Sequence, residues 1–101
     1  MLVGASMQSR DVRWLTLALE DLHDIATYLV EKDLGAGKQV AQCLWNAGQS
    51  LASLSSRGRA GRVAGTRELV LTDFPYFIAY RVVKSEVQIL RVLHTARRYP
   101  Q

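Results

Sequence analysis

Cysteine is nearly absent from the sequence, with Cys43 the single one among 101 residues. An intramolecular disulfide is therefore excluded, and a lone thiol at an apolar helical position suits a reducing compartment. No segment approaches the ~20 consecutive apolar residues of a membrane-spanning helix, and the start of the chain lacks the basic region of a secretion signal. We therefore expect a cytoplasmic protein without a membrane partner, in which Cys43 is a buried structural thiol.

Motifs for metal or cofactor chemistry are also missing. No second cysteine accompanies Cys43, and the two histidines, His23 and His94, do not form a spaced group of metal ligands. The sequence has neither a glycine-rich phosphate loop nor a serine-centred nucleophile motif. We therefore expect no metal and no cofactor. His23 lies among helix carboxylates and is interpreted as a surface residue.

What is present is the composition of one globular domain. Hydrophobic residues make up 49% of the chain and charged residues 22%, which is average for a folded domain. A chain of this length buries roughly 60 to 70% of the surface that its unfolded form exposes. We expect a single domain over residues 7–101. Met7 is an alternative start of the protein, which would make residues 1–6 an extension without a structural role.

Charge is distributed unevenly between the two halves. Residues 1–50 carry four cationic and six anionic side chains, a net charge of −2, whereas residues 51–101 carry nine and three, a net charge of +6. Eight of those nine cations are arginine, which suits two-point contacts with phosphate or carboxylate. The second half therefore indicates either a polyanionic or acidic partner or a basic, solvated surface.

The first half predicts a short strand and two helices. Residues 11–15 indicate a strand, after which Thr16 is the expected N-cap of a helix. Asp33, Gly35 and Gly37 separate two series of apolar residues at helical spacing. The members of these series are Ala18, Leu22, Ile25, Ala26 and Leu29, and then Val40, Leu44, Ala47, Leu51 and Leu54. The small Ala47 and Gly48 are expected to let the two antiparallel helices pack closely.

The second half predicts a loop followed by an antiparallel β-meander. Residues 55–65 combine serine and glycine with three arginines and have almost nothing to bury. Three runs rich in β-branched and aromatic residues follow, which are Thr66–Thr72, Tyr76–Val83 and Val87–Leu93. The connections between them are short enough for hairpins. The chain is therefore predicted to be an α+β protein, with an N-terminal strand and a helical hairpin packed on the meander.

Three arginines are expected to meet on this sheet. If both connections are three-residue loops, Arg67 faces Arg81 across the first hairpin. Across the second hairpin Arg81 faces Ile89 and Arg91 faces Ala79, so all three arginines share one face. Like charges directly opposite each other are destabilising, so this grouping requires a compensating anion. The anion could be a ligand's phosphate, a partner's carboxylate or an internal acid, which would be Glu68, Glu86 or a helix carboxylate.

The C-terminus carries a second group of candidates. His94, Arg97, Arg98 and Tyr99 follow the last predicted strand. A histidine that titrates near neutrality, two phosphate-binding side chains and an aromatic ring that can stack on a base suit RNA binding or RNA chemistry. Solvated tails often contain the same residue types, so both interpretations stay open at this point.

The order of several short motifs resembles the RelE/ParE family of bacterial toxins. The motifs are Gly61-Arg62, Gly65-Thr66-Arg67-Glu68-Leu69, Pro75-Tyr76 with Tyr80-Arg81-Val82, Ile89-Leu90-Arg91-Val92-Leu93-His94 and Ala96-Arg97-Arg98-Tyr99-Pro100. Trp14, Asp21-Leu22, Ile25 and Tyr28 are also placed as in the first helix of that family. The resemblance covers nearly the whole chain from about Val12.

The resemblance implies the toxin of a type II toxin-antitoxin pair, made with a small antitoxin that wraps and neutralises it. It also implies a helical hairpin packed on a small antiparallel sheet, as the periodicity predicts. An amphipathic antitoxin segment would lie along the hairpin and the sheet. The candidate antitoxin-binding residues are Leu22, Leu44, Leu51, Arg67 and Arg81.

The family divides by target. RelE-like members cut messenger RNA on the ribosome with basic side chains on the strand equivalent to Thr66–Thr72 and an arginine after the tyrosine that opens the next strand. This chain has Glu68, Val70 and Phe77 at those places. ParE-like members poison DNA gyrase without a nuclease site and fit these departures better. We therefore expect ParE-like inhibition of DNA gyrase.

Ribosome-dependent RNA cleavage is the alternative, because it needs only a base, charge stabilisation and an acid. Glu68 or His94 would then be the base, with Arg67, Arg81 or Arg91 on the phosphate. The candidate target- or phosphate-binding residues are Arg67, Arg81, Arg91, Arg97, Arg98 and Tyr99. A small basic module that binds nucleic acid without any toxicity is a third possibility.

Overall fold

The computed structural model describes residues 9–100, so the expectation for residues 1–6 and the choice between Met1 and Met7 lie outside the described residues. The elements are β1 (Asp11–Trp14), α1 (Thr16–Lys32), α2 (Leu34–Ser50), β2 (Arg59–Ala60), β3 (Arg67–Val70), β4 (Tyr76–Val83) and β5 (Glu86–His94). Neither helix in this part of the chain is long and apolar enough to cross a membrane.

The helical hairpin forms largely as its apolar periodicity predicts. Ala18 is fully buried, and Leu22, Ile25 and Leu29 pack against the same core from α1. Thr16 is the first helical residue and not the N-cap, so that prediction is wrong. Leu15 holds the cap position in extended conformation, because its N–H still donates to Ile89 O as a continuation of β1.

The break between the helices is shorter than predicted. Asp33 alone interrupts them, and its side chain accepts a hydrogen bond from the backbone N–H of Ala36 at 3.1 Å, as an N-cap does. Gly35 and Gly37 therefore lie within α2. A Cβ atom on Gly37 would come within 2.6 Å of the backbone nitrogen of Val30, so this glycine allows the two helices to approach closely.

The C-terminal part of α2 differs from the prediction in two ways. The atoms nearest to a Cβ on Gly48 belong to Trp14 of β1, so Gly48 makes room for this ring. The Trp14 ring in turn stacks on Trp45 with centroids 4.9 Å apart. Leu54 lies beyond the end of α2 and is 54% exposed, whereas Leu51 is fully buried at the C-cap.

The five strands form one mixed sheet in the order β1-β5-β4-β3-β2. The predicted meander is confirmed in β3, β4 and β5, which pair antiparallel, and β1 joins β5 in parallel. The predicted loop over residues 55–65 contains the two-residue strand β2, which pairs with Arg67 and Glu68 of β3. The α+β class is correct.

The register of the sheet overturns the expected arginine face. The β3–β4 connection closes with Leu71 N–H donating to Tyr76 O, and β4 and β5 are joined by the two residues Lys84 and Ser85. Neither connection therefore has three residues, so Arg67 pairs with Tyr80 and not with Arg81. A one-residue change of register moves a side chain to the other face of a sheet.

The pairing of Arg91 was predicted correctly because a second irregularity compensates. Tyr80 pairs with Ile89 and Ala79 with Arg91, so Leu90 is an extra residue at a β-bulge. Arg81 pairs with Gln88, which precedes the bulge in β5.

The two faces of the sheet have separate apolar clusters. Ile78, Tyr80 and Val92 belong to the main core, with Leu44 and Leu51 of the hairpin, and we call this side the helix face. Phe77, Ala79 and Leu93 are also buried but form a second cluster on the opposite side, the open face, where Tyr99 packs against them. No helix of residues 9–100 covers the open face, so a loop and the C-terminus shield it instead.

Candidate functional site

Glu68 is a buried carboxylate on the open face. Its side chain is only 1% exposed and lies opposite Ala79 of β4 and Arg59 of β2. Arg59 Nη2 and Arg62 Nε each lie 3.4 Å from Oε1, and the backbone N–H of Arg62 donates to Oε2 at 3.0 Å. An unpaired buried charge is strongly destabilising, so these donors are what permits Glu68 at this position.

Arg62 also contacts the C-terminus. Its guanidinium carbon lies 4.9 Å from the centre of the Phe77 ring, in cation–π geometry, and Nη1 donates to the carbonyl of Tyr99 at 3.5 Å. The Tyr99 ring meets Phe77 edge-on with centroids 5.9 Å apart. Tyr99, predicted to stack on a nucleic-acid base, is therefore half-buried and engaged with the protein's own sheet.

Arg67 supports the loop before β2. Its Nη1 donates to the carbonyls of Gly58 at 2.8 Å and of Ser56 at 3.4 Å. Its cross-strand partner Tyr80 donates to Ser55 O and accepts from the N–H of Gly58, both at 2.8 Å. Arg67 is thus engaged in the structure of this loop and is separated from Arg81.

Arg81 remains exposed on the open face. Its Nε donates to Gln88 Oε1 at 2.6 Å, and the amide of Gln88 donates to Glu86 at 2.6 Å. Arg13 of β1 pairs with the same Gln88 from the other side of β5 and lies 4.0 Å from Glu86. Arg81 and Arg13 therefore flank Gln88 from the two neighbouring strands, and Arg81 does not pair with Arg67 as predicted.

Arg91 forms an ion pair with Asp21 of α1. Nε and Nη2 donate to the two carboxylate oxygens at 2.7 and 3.0 Å, and the backbone N–H of Val92 donates to the same carboxylate at 2.9 Å. The hydrogen bond to Asp21 raises the pKa of Arg91, partly offset by desolvation. Two guanidinium nitrogens of Arg91, Nε and Nη2, are therefore engaged by Asp21.

His94 lines a cleft of about 300 Å³ between α1 and the ends of β4 and β5. Its ring meets Tyr76 edge-on at 5.4 Å, and its Nδ1 accepts from the N–H of Ala96 at 3.0 Å. Burial, and secondarily the nearby Tyr28, raises the pKa of Tyr76, so its hydroxyl stays protonated at neutral pH. The remaining lining includes Asp21, Asp24 and Arg97.

His94 and Glu68 cannot act together. His94 pairs with Tyr76, whose side chain belongs to the helix-face core, whereas Glu68 pairs with Ala79 of the open-face cluster. The two candidate bases therefore lie on opposite faces of the sheet. Arg97 and Arg98 are exposed beside this end of the sheet.

A second groove of about 210 Å³ lies between α2 and the β3 edge. Its lining includes Cys43, Ala47, Arg57, Leu69 and Phe74. Cys43 is half-buried here, which corrects its predicted burial. Leu44 and Leu51, which were predicted to bind an antitoxin, are fully buried in the core and are not accessible to a partner. Leu22 is partly exposed.

Sequence reasoning missed the residues that join distant parts of the site. The sequence places Arg62 in an arginine-containing loop and in the Gly61-Arg62 motif, and it places Asp21 among the helix carboxylates and in the Asp21-Leu22 motif. Neither motif predicts that its charged residue contacts Tyr99 or Arg91. Among residues 9–100 there is no group of three or more histidine, cysteine or acidic side chains that could hold a metal.

Comparisons with known proteins agree with this architecture. A family model described as the ParE toxin of the type II toxin-antitoxin system parDE matches residues 12–99. Y4kP of Sinorhizobium fredii, whose name describes a toxin, is 39% identical over 95 residues, covering 94% of this chain and 98% of that protein. Toxin RelE2 of Caulobacter vibrioides is 40% identical over 86 residues, covering 85% and 96%.

Solved structures share the fold. A chain of the chromosomal ParDE toxin-antitoxin system from P. aeruginosa is similar with a TM-score of 0.80 and 26% identity, covering 86% of this chain and 97% of that one. A chain of the toxin-antitoxin complex RelBE2 from Mycobacterium tuberculosis is similar with a TM-score of 0.66 and 23% identity, covering 85% and 98%. With the family match over residues 12–99, these similarities establish that the chain belongs to the ParE toxin family of type II toxin-antitoxin systems.

Proposed function

We propose that this toxin arrests growth by binding and inhibiting DNA gyrase, without cutting RNA, and that a cognate antitoxin neutralises it. The observation that carries the proposal is the filled open face of the sheet. By resemblance, a RelE-like nuclease would present basic side chains on β3 and an arginine after Tyr76. Here Glu68 is 1% exposed and ion-paired, and Phe77 is fully buried beneath Arg62 and Tyr99.

The electrostatics of this face also disfavour RNA cleavage there. A general base must reach the 2′-hydroxyl of the substrate, and the oxygens of Glu68 are occupied by Arg59 and Arg62 below the surface. Stabilising a phosphorane-like transition state needs cations aimed at the phosphate. Arg91 and Arg67 are instead directed to Asp21 and to backbone carbonyls.

Inducible expression of the full chain, with and without its antitoxin, tests the proposal. We expect growth arrest, induction of the DNA-damage response and loss of supercoiling of a reporter plasmid. Message 5′ ends mapped in the same cells should show no new codon-associated cleavage. Normal supercoiling together with degraded messages would contradict gyrase inhibition, and the absence of any growth arrest would contradict toxicity.

An antitoxin segment fits the groove between α2 and β3. β2 pairs only with Arg67 and Glu68, so the outer edge of Val70 has no strand beside it among residues 9–100. An extended segment could add to this edge by backbone hydrogen bonds and insert apolar side chains between α2 and Phe74. Arg57 at the groove would attract an acidic residue of that segment.

RNA cleavage remains a second candidate because of the cleft at α1, not because of the open face. His94, the protonated hydroxyl of Tyr76 and Arg97 line this cleft together and could serve as base, acid and phosphate ligand. Replacing His94 by glutamine separates the candidates, since it removes the base from an exposed position and keeps a polar side chain there. New message ends that disappear in His94→Gln would favour the nuclease; unchanged growth arrest favours gyrase inhibition.

A further inference from the structure

The strand β1 forms one end of the sheet, and its outer edge has no strand beside it among residues 9–100. The N–H groups of Asp11 and Leu15 donate to carbonyl oxygens on the β5 side, both at 3.0 Å. In a parallel pair, alternate residues of a strand hydrogen-bond to the same neighbour. The N–H and C=O groups of Val12 and Trp14 therefore point away from β5, toward the outer edge. Such a row of donors and acceptors is a template for a further strand.

The side chains of β1 alternate between the two faces of the sheet. Val12 and Trp14 pack against the main core on the helix face, which places Asp11 and Arg13 on the open face. Asp11 is in register with Glu86 of β5, so two carboxylates lie side by side, which is unfavourable. Arg13 lies 4.0 Å from Glu86, whereas Asp11 has no ion pair in the described part of the chain. Asp11 therefore lacks a cation.

A second copy of β1 carries the cation that Asp11 lacks. The twofold axis of an antiparallel pair of such strands can lie at any of the four residues of β1. At Asp11 or Arg13 it places like charges opposite each other, which is repulsive. At Trp14 it leaves Asp11 opposite α1, without a cation. At Val12 it places Asp11 of each copy opposite Arg13 of the other, and the two outward-pointing Val12 residues form a hydrogen-bonded pair.

Apolar surface continues beside this edge on the helix face. Trp45 of α2 is 39% exposed and stacks on Trp14 with ring centroids 4.9 Å apart. Nε1 of Trp14 donates to Gln49 Oε1 at 2.9 Å, which fixes the orientation of the ring. The two indole rings thus form a rigid apolar surface next to β1, and pairing of the edges would bring it close to the second copy.

We propose that two copies of the toxin associate through their β1 edges, antiparallel about Val12, to form one continuous ten-stranded sheet. Charged side chains on an edge strand normally prevent pairing, but here their order permits one register with one partner, a second copy of this chain. The contact is short, so the dimer is weak and forms at high concentration. The inference does not depend on gyrase inhibition.

The proposed dimer leaves the other edge of each sheet uncovered. β1 lies at one end of the strand order and β3 near the other. The groove between α2 and the β3 edge, where we propose that the antitoxin binds, is therefore outside the interface. Two toxins paired in this way could each bind an antitoxin.

Exchanging the charges of β1 tests the register. In sedimentation velocity of the full chain, made by cell-free synthesis, the weight-average mass should rise from monomer toward dimer between about 1 and about 200 μM. Arg13→Asp and Asp11→Arg should each raise the Kd of the dimer by at least about tenfold, because each places like charges opposite each other. The double variant Asp11→Arg with Arg13→Asp restores opposite charges and should return the Kd to within about threefold of the wild type.

Arg81→Asp is the matched control, because Arg81 is an exposed arginine of the open face that lies two strands inward from β1. It changes the net charge as Arg13→Asp does, and its Kd should stay within about twofold of the wild type. The melting temperature of each variant reports whether the fold is intact. A wild-type chain that stays monomeric, single variants that dimerise as the wild type does, or a double variant that does not recover would each overturn the proposal. An equal loss in Arg81→Asp would also overturn it, in favour of a general effect of charge.

Discussion

Asp21 and Arg91 lie 70 residues apart in sequence and form a two-point ion pair, with Nε–Oδ2 and Nη2–Oδ1 distances of 2.7 and 3.0 Å. The same Asp21 carboxylate accepts the N–H of Val92, which lies beyond the end of the β1 pairing. This carboxylate therefore attaches α1 to β5 where β1 no longer covers the strand. The Asp21-Leu22 motif, one of those that resemble the toxin family, thus contains the residue that attaches α1 to the sheet.

Removing this attachment should destabilise the fold. We expect Asp21→Ala to lower the free energy of unfolding by about 2 to 4 kcal/mol, because it leaves Arg91 and the Val92 N–H without their acceptor. Urea denaturation at neutral pH measures the loss. Asp24→Ala, an exposed carboxylate on the same helix, is the control and should change stability by less than about 0.5 kcal/mol. Equal losses in both variants would contradict a specific role for Asp21.

Replacing glycine by alanine should change the stability of the protein in opposite directions at two positions of α2. Gly37→Ala places a methyl group within 2.6 Å of the Val30 backbone and should cost about 1 to 3 kcal/mol by forcing the helices apart. The nearest atom to a Cβ on Gly35 is Asp33 Oδ1 at 3.5 Å, so Gly35→Ala should stabilise α2 by about 0.5 to 1 kcal/mol. Thermal unfolding of both variants checks the signs, and stabilisation by Gly37→Ala would refute the close helix contact.

Tyr76 should make stability fall at alkaline pH. Burial raises its pKa above the ordinary 10.0, so the unfolded state loses this proton at lower pH than the folded state does. The contribution of Tyr76 is therefore fully present below about pH 10 and is lost as the pH rises through the folded pKa. The free energy of unfolding can be measured with urea from about pH 8 to about pH 11. Over this range it should decline less in Tyr76→Phe than in the wild type. Identical declines would exclude this linkage.

The β3 edge should be required for antitoxin binding. Val70 and Val83 are 38% and 40% exposed, but Val70 lies at the free edge of β3 whereas Val83 adjoins the β4–β5 turn. We expect Val70→Asp to raise the Kd for the antitoxin by at least about tenfold, through repulsion and lost apolar contact, and Val83→Asp to leave it nearly unchanged. Titration calorimetry measures both. An effect of Val83→Asp alone would locate the antitoxin elsewhere.

The helices and the three strands of the meander could be predicted because their signals are local. Periodic leucines define the hairpin, and β-branched runs define β3, β4 and β5. The register could not be predicted in the same way, because it depends on the closing pair Leu71–Tyr76, the two-residue turn at Lys84 and the bulge at Leu90. Each of these differs by one residue from three-residue loops and regular strands, which the sequence analysis assumed. A shift of one residue is enough to separate Arg67 from Arg81.

The candidate site was predicted less well for a related reason. Residue types identified Glu68, His94 and the arginines, but their roles depend on partners distant in sequence. Arg62 reaches Tyr99 across 37 residues, and Arg91 reaches Asp21 across 70. A sequence shows that Glu68 needs a cation, but the fold determines that Arg59 and Arg62 supply it. Those assignments exclude a joint catalytic role for Glu68 and His94.

Inhibition of gyrase without nuclease chemistry is tested most directly with purified components. A toxin with His94→Gln lacks the candidate base that lies outside the Glu68 ion pairs and keeps a hydrogen-bonding side chain at that position. In a supercoiling assay with purified DNA gyrase and relaxed plasmid, we predict that this variant inhibits as strongly as the wild type and that added antitoxin restores supercoiling. Unimpaired supercoiling with the wild-type toxin, together with cleavage of ribosome-bound messages that the His94→Gln variant lacks, would contradict the account.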